Sequence, residues 1–188
     1  MRKITLLALT LPLITLQGCF PLIATGVGAG VLMAEDRRTS GTYIEDQGIS
    51  VKVTSRIKEK LKDQVQINVT SYNRNVLLTG EAPTEALKQE AAEIARSVPN
   101  VNSVNNEIAI AELTSFASHN NDSFITSKVK ARFIDANRFK ANLVKVVTEN
   151  SVVYLLGLVK RQEADDAVEI ASTTSGVRKV VKIFEYID

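Results

Sequence analysis

The stretch DSFITSKVKARFIDANRF, residues 122–139, has an earlier counterpart in DQGISVKVTSRIKEKLKD, residues 46–63. Both stretches carry apolar side chains at four-residue spacing, which places those side chains on one face of a helix. The positions that match are Ile49 with Ile125, Val53 with Val129, and Ile57 with Phe133. Because the pattern occurs twice in 188 residues, the chain is predicted to contain two copies of one small domain.

The segments that follow each helix repeat in the same order. Two strand-like segments around a polar turn lead into a run of strong helix formers and then a last strand. The first copy reads QINVTS, NVLLTG, TEALKQEAAEIARSV and VNSVNNEIAI; the second reads LVKVVTE, SVVYLLG, RQEADDAVEIASTT and VRKVVKIFEYI. This order predicts an α+β fold of two αββαβ domains, each a three-stranded sheet packed against two helices. The domains are expected at residues 46–112 and 122–188, with a linker at 113–121.

The amino-terminus has the features of an export signal. Arg2 and Lys3 precede an apolar run that ends in the residues LQGC, whose cysteine is Cys19. The pattern predicts a signal peptide over residues 1–18. Its end resembles the lipobox of bacterial lipoproteins, which implies that Cys19 is the lipid anchor, acylated with chains such as palmitate, and the first residue of the mature chain.

The residues around the cysteine bear on where such a lipoprotein goes. In lipoproteins of this kind an aspartate after the cysteine commonly means retention in the inner membrane. Phe20 occupies that position, so the resemblance implies a lipid-anchored location at the outer membrane, facing the periplasm. An uncleaved membrane helix is the alternative, although prolines and glycines interrupt the apolar region. Residues 19–45 are expected to be the lipidated terminus and a flexible tether.

Composition and isolated polar residues argue against several classes of function. The 23 basic and 21 acidic residues give no field that would imply nucleic-acid binding, and one cysteine excludes multi-cysteine metal motifs. His119, the only histidine, falls in the linker without catalytic or metal-binding neighbours. Asp165 and Asp166 are adjacent on a predicted helix, so they point about 100° apart and form no acid–base pair. The expectation is a protein that is not an enzyme, with no metal, no cofactor and no nucleic-acid partner.

Three features of the repeat carry a family resemblance. They are a glycine that ends the second strand, in NVLLTGEA and VVYLLGLV, a second helix that contains Ile-Ala, and a final strand with a V-x-x-V pattern. The repeat resembles the BON domain, and two copies behind a lipobox resemble the dual-BON-domain outer-membrane lipoproteins. This resemblance implies a non-enzymatic protein associated with phospholipid binding and outer-membrane integrity. It also points to the first helix of the second domain as the lipid contact, with Phe124 at an aromatic position of the motif.

The first helix of the second domain is predicted to have two apolar faces. At about 100° per residue, the face opposite Ile125, Val129 and Phe133 carries residues that its counterpart in the first domain lacks. Its predicted phospholipid-binding residues are Phe124, Ser127, Lys128, Lys130, Ala131, Ile134 and Arg138, where the first domain has Gly48, Val51, Ser55 and Lys58 at the outward positions. Large apolar side chains beside lysines are typical of contact with an anionic phospholipid membrane.

Two other readings of this face stay open from the sequence. Phe124 could pack as a staple at the start of the helix, or Phe124 and Ile134 could contact the first domain. At the level of function, the alternative is an envelope protein-interaction scaffold. Such a scaffold would bind an outer-membrane protein partner through the same surface or through a sheet edge.

Overall fold

The computed structural model describes residues 36–113 and 117–188. The predicted signal peptide, Cys19 and the part of the predicted tether before residue 36 lie outside the described residues. No helix in the described ranges is both long and apolar enough to cross a bilayer.

The first domain follows the predicted order of helices and strands. Its elements are α1 (Ser40–Leu61), β1 (Gln66–Tyr72), β2 (Asn75–Ala82), α2 (Glu85–Arg96), β3 (Ser103–Asn106) and β4 (Ala109–Ile110). In the sheet, β2 is antiparallel to β1 and parallel to both β3 and β4. The third strand expected from the sequence is therefore present but interrupted at Glu107 and Ile108, and the side chain of Ile108 is buried there.

The second domain repeats the arrangement with an unbroken last strand. Its elements are α3 (Ala117–Ala136), β5 (Lys145–Glu149), β6 (Val152–Val159), α4 (Arg161–Ser172) and β7 (Lys179–Tyr186). The central strand β6 is antiparallel to β5 and parallel to β7. The helix α4 makes the crossover between the two parallel strands. The predicted α+β class is thus confirmed.

Both first helices begin earlier than the sequence predicted. α1 starts at Ser40, where Thr39 caps it by accepting a hydrogen bond from the backbone N–H of Thr42 at 3.1 Å, so residues 40–45 are helical rather than part of a flexible tether. α3 starts at Ala117, so His119 lies in a helix and not in a linker. The four-residue apolar spacing does not continue into the added turns, since Glu45 and Asn121 occupy the next positions, which is why the spacing did not reveal them.

Each sheet packs one face against its own two helices. The apolar side chains that α1 was predicted to bury, at four-residue spacing from Ile49 to Leu61, are all buried against β2 and α2. In the second domain Ile125, Val129 and Phe133 of α3 pack in the same way against β6 and α4. The predicted inner faces of the two first helices are therefore correct.

The other faces of the two sheets pack against each other. Tyr72 and Leu77 of the first domain form one buried cluster with Tyr154 and Leu156 of the second. Alternate residues of β2 and β6 thus point to a domain core and to this junction, so both faces of the central strands are buried. Burial at the junction raises the pKa of Tyr154 to about 12. The result is a stack of four layers, with the sheets in the middle and the helices outside.

Polar side chains close the rim of this junction. Asn73 donates from its side-chain amide to both carboxylate oxygens of Glu185 at 3.0 Å, and Asn68 donates to Glu149 at 2.9 Å. The two domains are therefore joined by apolar contact and by directed hydrogen bonds.

The residues just before α1 contact the second domain as well. Arg37 donates to both carboxylate oxygens of Glu163 at 2.6 and 2.8 Å and to the carbonyl oxygen of Leu158 at 2.9 Å. The hydrogen bond from Arg37 lowers the pKa of Glu163. Arg37 therefore connects the segment before α1 with the second domain.

Two strand glycines have a role that the sequence did not show. Gly80 and Gly157 lie inside β2 and β6 rather than at the ends of these strands. A Cβ atom on Gly80, whose φ is +111°, would lie 2.0 Å from the carbonyl oxygen of Gln66, and a Cβ on Gly157 would lie 2.6 Å from that of Leu143. Close approach of neighbouring backbone therefore requires glycine at both positions.

Candidate functional site

The helix α3 presents apolar side chains to solvent as well as to its core. Phe124 is 62% exposed and Ile134 is 67% exposed, whereas Phe133 between them is fully buried. The structure therefore shows that neither exposed side chain is sealed by a staple contact or by the first domain. Their function as lipid contacts stays a prediction.

Small exposed side chains fill the surface between Phe124 and Ile134. Ser127 and Ala131 are both exposed, and the Ser127 hydroxyl donates back to the carbonyl oxygen of Ser123 at 3.0 Å. That internal hydrogen bond lowers the cost of moving the hydroxyl out of water. We call the surface formed by Phe124, Ser127, Ala131 and Ile134 the outer strip of α3.

Two lysines flank the outer strip and differ in their contacts. The half-buried Lys128 places its ammonium nitrogen 4.7 Å from the centroid of the Phe124 ring and donates to the carbonyl oxygen of Ser175. Lys130, on the other flank, is exposed. The structure thus brings together six of the predicted residues, an apolar strip with a positive charge on each side.

Arg138, the seventh predicted residue, has acidic partners within the protein. Its guanidinium pairs with Asp166 and with Glu169, the latter at 3.0 Å. The hydrogen bond between Arg138 and Glu169 raises the pKa of Arg138 and lowers that of Glu169. Its charge is therefore already balanced, and Asp166 serves as a structural partner.

The corresponding surface of the first domain carries more exposed apolar side chains than the sequence predicted. Ile44 is 69% exposed and Val51 is 68% exposed on α1. Ile44 precedes the expected start of the helix and lies one turn before Gly48 on the same face. The expectation that this face lacks a large apolar residue was wrong, because α1 begins at Ser40.

A buried aspartate at the start of each repeat holds the hairpin of its domain. The carboxylate of Asp122 accepts hydrogen bonds from the backbone N–H groups of Asn150 and Ser151, each at 2.8 Å. Both turn residues have positive φ, as a two-residue hairpin turn requires. The aspartate satisfies backbone groups that the tight turn leaves without strand partners.

Asp46 makes the same contacts in the first domain and adds others. It accepts from the N–H groups of Asn73 and Arg74 at 2.8 Å, from the Ser71 hydroxyl at 2.6 Å, and from Arg38 at 2.8 Å. The sequence carried a signal for these two residues, since aspartate opens both copies of the repeated stretch.

An arginine at equivalent positions ties the helices of each domain together. Arg56 of α1 donates to the carbonyl oxygen of Ser97 at 3.1 Å, and Arg132 of α3 donates to that of Ile170 at 2.9 Å. These contacts stabilise the carbonyl ends of α2 and α4. Arg132 directly follows Ala131 of the outer strip, so its contact holds α4 against the adjoining side of α3.

Side chains that bind metals do not cluster in the described ranges. No group of three or more histidine, cysteine, aspartate or glutamate residues there could hold a metal ion. The buried carboxylates of Asp46 and Asp122 are occupied by the hairpin contacts above. The outer strip, with Lys128 and Lys130 beside it, offers apolar contact combined with attraction for anions.

Comparison with known proteins identifies the repeat. The BON domain family matches residues 45–112 and 121–188. The outer membrane lipoprotein DolP of Haemophilus influenzae is 40% identical over 177 residues, which cover 93% of this chain and 92% of that protein. The 21 kDa hemolysin of Actinobacillus pleuropneumoniae is 35% identical over 154 residues, covering 81% of this chain and 79% of the relative.

A third relative has a different description. The osmotically-inducible protein Y of Escherichia coli is 29% identical over 161 residues, covering 83% of this chain and 80% of the relative. Similarity to DolP over nearly the full length of both chains agrees with the predicted lipid-anchored location at the outer membrane. The chain therefore belongs to the BON domain family, as a two-domain outer-membrane lipoprotein similar to DolP.

Proposed function

We propose that this lipoprotein faces the periplasm, binds anionic phospholipid through the outer strip of α3 and, without being an enzyme, supports the integrity of the outer membrane. The observation that carries the proposal is the exposure of Phe124 and Ile134 on one helix whose opposite face is buried. Lysines flank the strip, and an exposed apolar surface of this kind indicates an interaction site.

The free energies favour a weak, selective contact. Partial insertion of Phe124 and Ile134 contributes at most about 1.5 to 3 kcal/mol each. Lys128 and Lys130 each add about 1 kcal/mol against an anionic surface. Acyl chains on Cys19, at about 0.8 kcal/mol per buried methylene, would dominate retention at the membrane. The anchor therefore attaches the protein, and the strip selects the lipid.

Attachment by the anchor makes a weak contact effective. A linked second binding event is intramolecular, so its effective concentration is far above that of the free protein. The outer strip then biases which region of the membrane the anchored protein occupies. Loss of the strip would change the distribution of the protein without releasing it.

Flotation with vesicles tests the proposal. The mature chain without its acylated cysteine, residues 20–188, contains every helix and strand described above and is mixed with vesicles of phosphatidylglycerol and phosphatidylcholine. Phe124→Glu and Ile134→Glu are expected to abolish flotation with anionic vesicles while far-UV circular dichroism and the thermal midpoint stay unchanged.

Two matched controls use the same helix face of the first domain. Val51→Glu introduces the same charge on an equally exposed apolar residue, and Lys58→Glu alters an outward position that matches Ile134. Both variants are expected to float as the unsubstituted chain does. Equal loss of flotation in Val51→Glu and Phe124→Glu would show that α3 has no special role.

A protein-interaction scaffold is the second candidate, favoured by the exposed Ile44 and Val51 of α1. These side chains give the first domain an apolar surface of its own. Photocrosslinking from Phe124 and, separately, from Val51 in intact cells distinguishes the candidates. Lipid adducts at Phe124 support the first proposal. Recovery of one defined protein at Val51, or at Phe124 in place of lipid, supports the scaffold.

A further inference from the structure

A groove of about 700 Å³ lies beside α3, between the two domains. Tyr43 of α1 and Tyr72 of β1 form the wall on the side of the first domain, and Lys130 and Ile134 of α3 form the opposite wall. The residues that connect α3 to β5 complete the groove. Its volume is in the range of sites that hold small molecules.

The floor of the groove is apolar and well packed. Phe133 and Phe139 meet edge to face, with ring centroids 5.0 Å apart and an interplanar angle of 65°. Val144 lies beside them and is also buried. Such a floor suits the uncharged part of an amphiphile and gives little to a fully hydrated ion.

Arg38 contributes a positive charge whose partners are already within the protein. Its guanidinium pairs with Asp36 at 2.7 Å and with Asp46 at 2.8 Å. It also stacks on Tyr72, 3.9 Å from the centroid of the ring. The arginine therefore shapes the wall of the groove and leaves little charge for a ligand.

Lys130 and Lys145 differ from Arg38 in this respect. In the part of the chain that the structure describes, neither lysine has a carboxylate within ion-pair distance. Lys145 is half-buried, and burial, with the positive charges of Arg38 and Lys130, lowers its pKa against the opposing effect of Asp46. An anion in the groove would offset the cost of burying the Lys145 ammonium and would give Lys130 a partner of opposite charge.

We infer that this groove holds the phosphate headgroup and glycerol of a single anionic phospholipid, with the phosphate between Lys130 and Lys145 and the glycerol on the Phe139 floor. The inference rests on the proposed function, because Lys130 and Ile134 belong both to the groove and to the lipid-facing side of α3. When the outer strip enters a bilayer, the mouth of the groove lies at the level of the headgroups. The first domain, through Tyr43 and Tyr72, thereby takes part in choosing the lipid.

Titration with a monomeric lipid distinguishes binding in the groove from binding to a membrane surface. Dihexanoyl phosphatidylglycerol, below its critical micelle concentration, is titrated into the ¹⁵N-labelled chain of residues 20–188. Saturable shifts of the backbone amides of Tyr72 and Lys145 are expected. Lys130→Gln and Lys145→Gln should each weaken binding about fivefold, while Lys145→Arg should retain it.

Phe124→Glu is the matched control, because Phe124 lies on the outer strip and does not line the groove. It should abolish vesicle flotation and leave monomer binding unchanged. Vesicle flotation without groove shifts would overturn this inference and leave the proposed function standing. If the unsubstituted chain showed neither vesicle flotation nor groove shifts, this inference and the proposed function would both be overturned.

Two further ligands identify the chemistry that the groove selects. Dihexanoyl phosphatidylcholine is expected to bind at least tenfold more weakly, because its positive choline group meets the lysines. Inorganic phosphate should shift the same amides only at much higher concentration, since it makes no use of the apolar floor. Equal affinity for phosphate and for the anionic lipid would show a general anion site and overturn the assignment to phospholipid.

Discussion

The ammonium nitrogen of Lys128 lies 4.7 Å from the centroid of the Phe124 ring, one helical turn away on α3. Lys128 also donates to the carbonyl oxygen of Ser175, so its side chain stays beside the ring instead of extending into solvent. A cation close to an aromatic face is attracted by the ring electrons. Ring and charge would therefore reach a bilayer surface together, the ring at the acyl boundary and the ammonium near the phosphates.

Lys128→Gln should weaken binding to anionic vesicles about fivefold, because one positive charge near the surface contributes about 1 kcal/mol. Residual binding to zwitterionic vesicles should not change. Flotation at low and at high ionic strength measures the effect, and the variant should respond less to salt. An equal loss on both kinds of vesicle would assign Lys128 a purely structural role.

Asp122→Ala should lower the free energy of unfolding by about 2 kcal/mol, because two backbone N–H groups in the hairpin turn lose a charged acceptor. Asp122→Asn retains one acceptor oxygen and should cost less. Urea unfolding of both variants measures the difference. Asp46→Ala should cost more than Asp122→Ala, since it also removes partners of Ser71 and Arg38. If alanine and asparagine were equivalent at residue 122, the hydrogen-bond account would be wrong.

Gly80→Ala should destabilise the first domain by several kcal/mol, because its Cβ would lie 2.0 Å from a backbone oxygen and its φ is +111°, a combination that costs more than about 1–3 kcal/mol of backbone strain. Gly48→Ala is the matched control. A Cβ there meets nothing within 4 Å and lies inside α1, so this substitution should stabilise the protein by about 0.5–1 kcal/mol. Thermal unfolding gives both values, and two shifts of the same sign would contradict the prediction.

Arg37→Gln should lower stability at neutral pH by about 1 kcal/mol, as expected for an ion pair near the surface. The bond to Arg37 holds the folded-state pKa of Glu163 below its ordinary value of 4.5. A lowered carboxyl pKa gives stability that is present above the ordinary value and is lost as the pH falls through the folded-state pKa. The difference between Arg37→Gln and the unsubstituted chain should therefore shrink in acid. Urea unfolding at neutral pH and at about pH 3 measures it. The contact of Arg37 with the carbonyl oxygen of Leu158 does not titrate, so part of the difference should remain, but a difference of unchanged size in acid would exclude Glu163 as the partner.

The inner faces of α1 and α3 could be predicted because apolar spacing directly reports burial on a helix. The outer strip followed from the same spacing, read on the opposite side. Ile44 was missed because the four-residue apolar spacing stops at Ile49, whereas capping by Thr39 sets the start of α1. Local hydrogen bonds, rather than apolar pattern, determine where that helix begins.

The sequence of β6 carries a signal for the contact between the sheets. The run VVYLLGLV is apolar at consecutive positions, whereas a strand with one wet face alternates. Such a run indicates that both faces of the strand are buried, so Tyr154 and Leu156, on the face away from the helices, must pack against another part of the protein. The groove near Lys145 could not be predicted, because it is formed by residues from both domains whose approach depends on that contact.

The buried sheet-to-sheet contact also bears on what a single repeat could do. Each copy offers the other an equivalent apolar surface, around Tyr72 and Leu77 in one and Tyr154 and Leu156 in the other. A lone repeat in water would leave that surface bare and would satisfy it most readily with a second molecule of itself. The two repeats of one chain thus pack as the two halves of a homodimer would, yet their outer helix faces differ, with Phe124 in the second repeat where the first has Gly48.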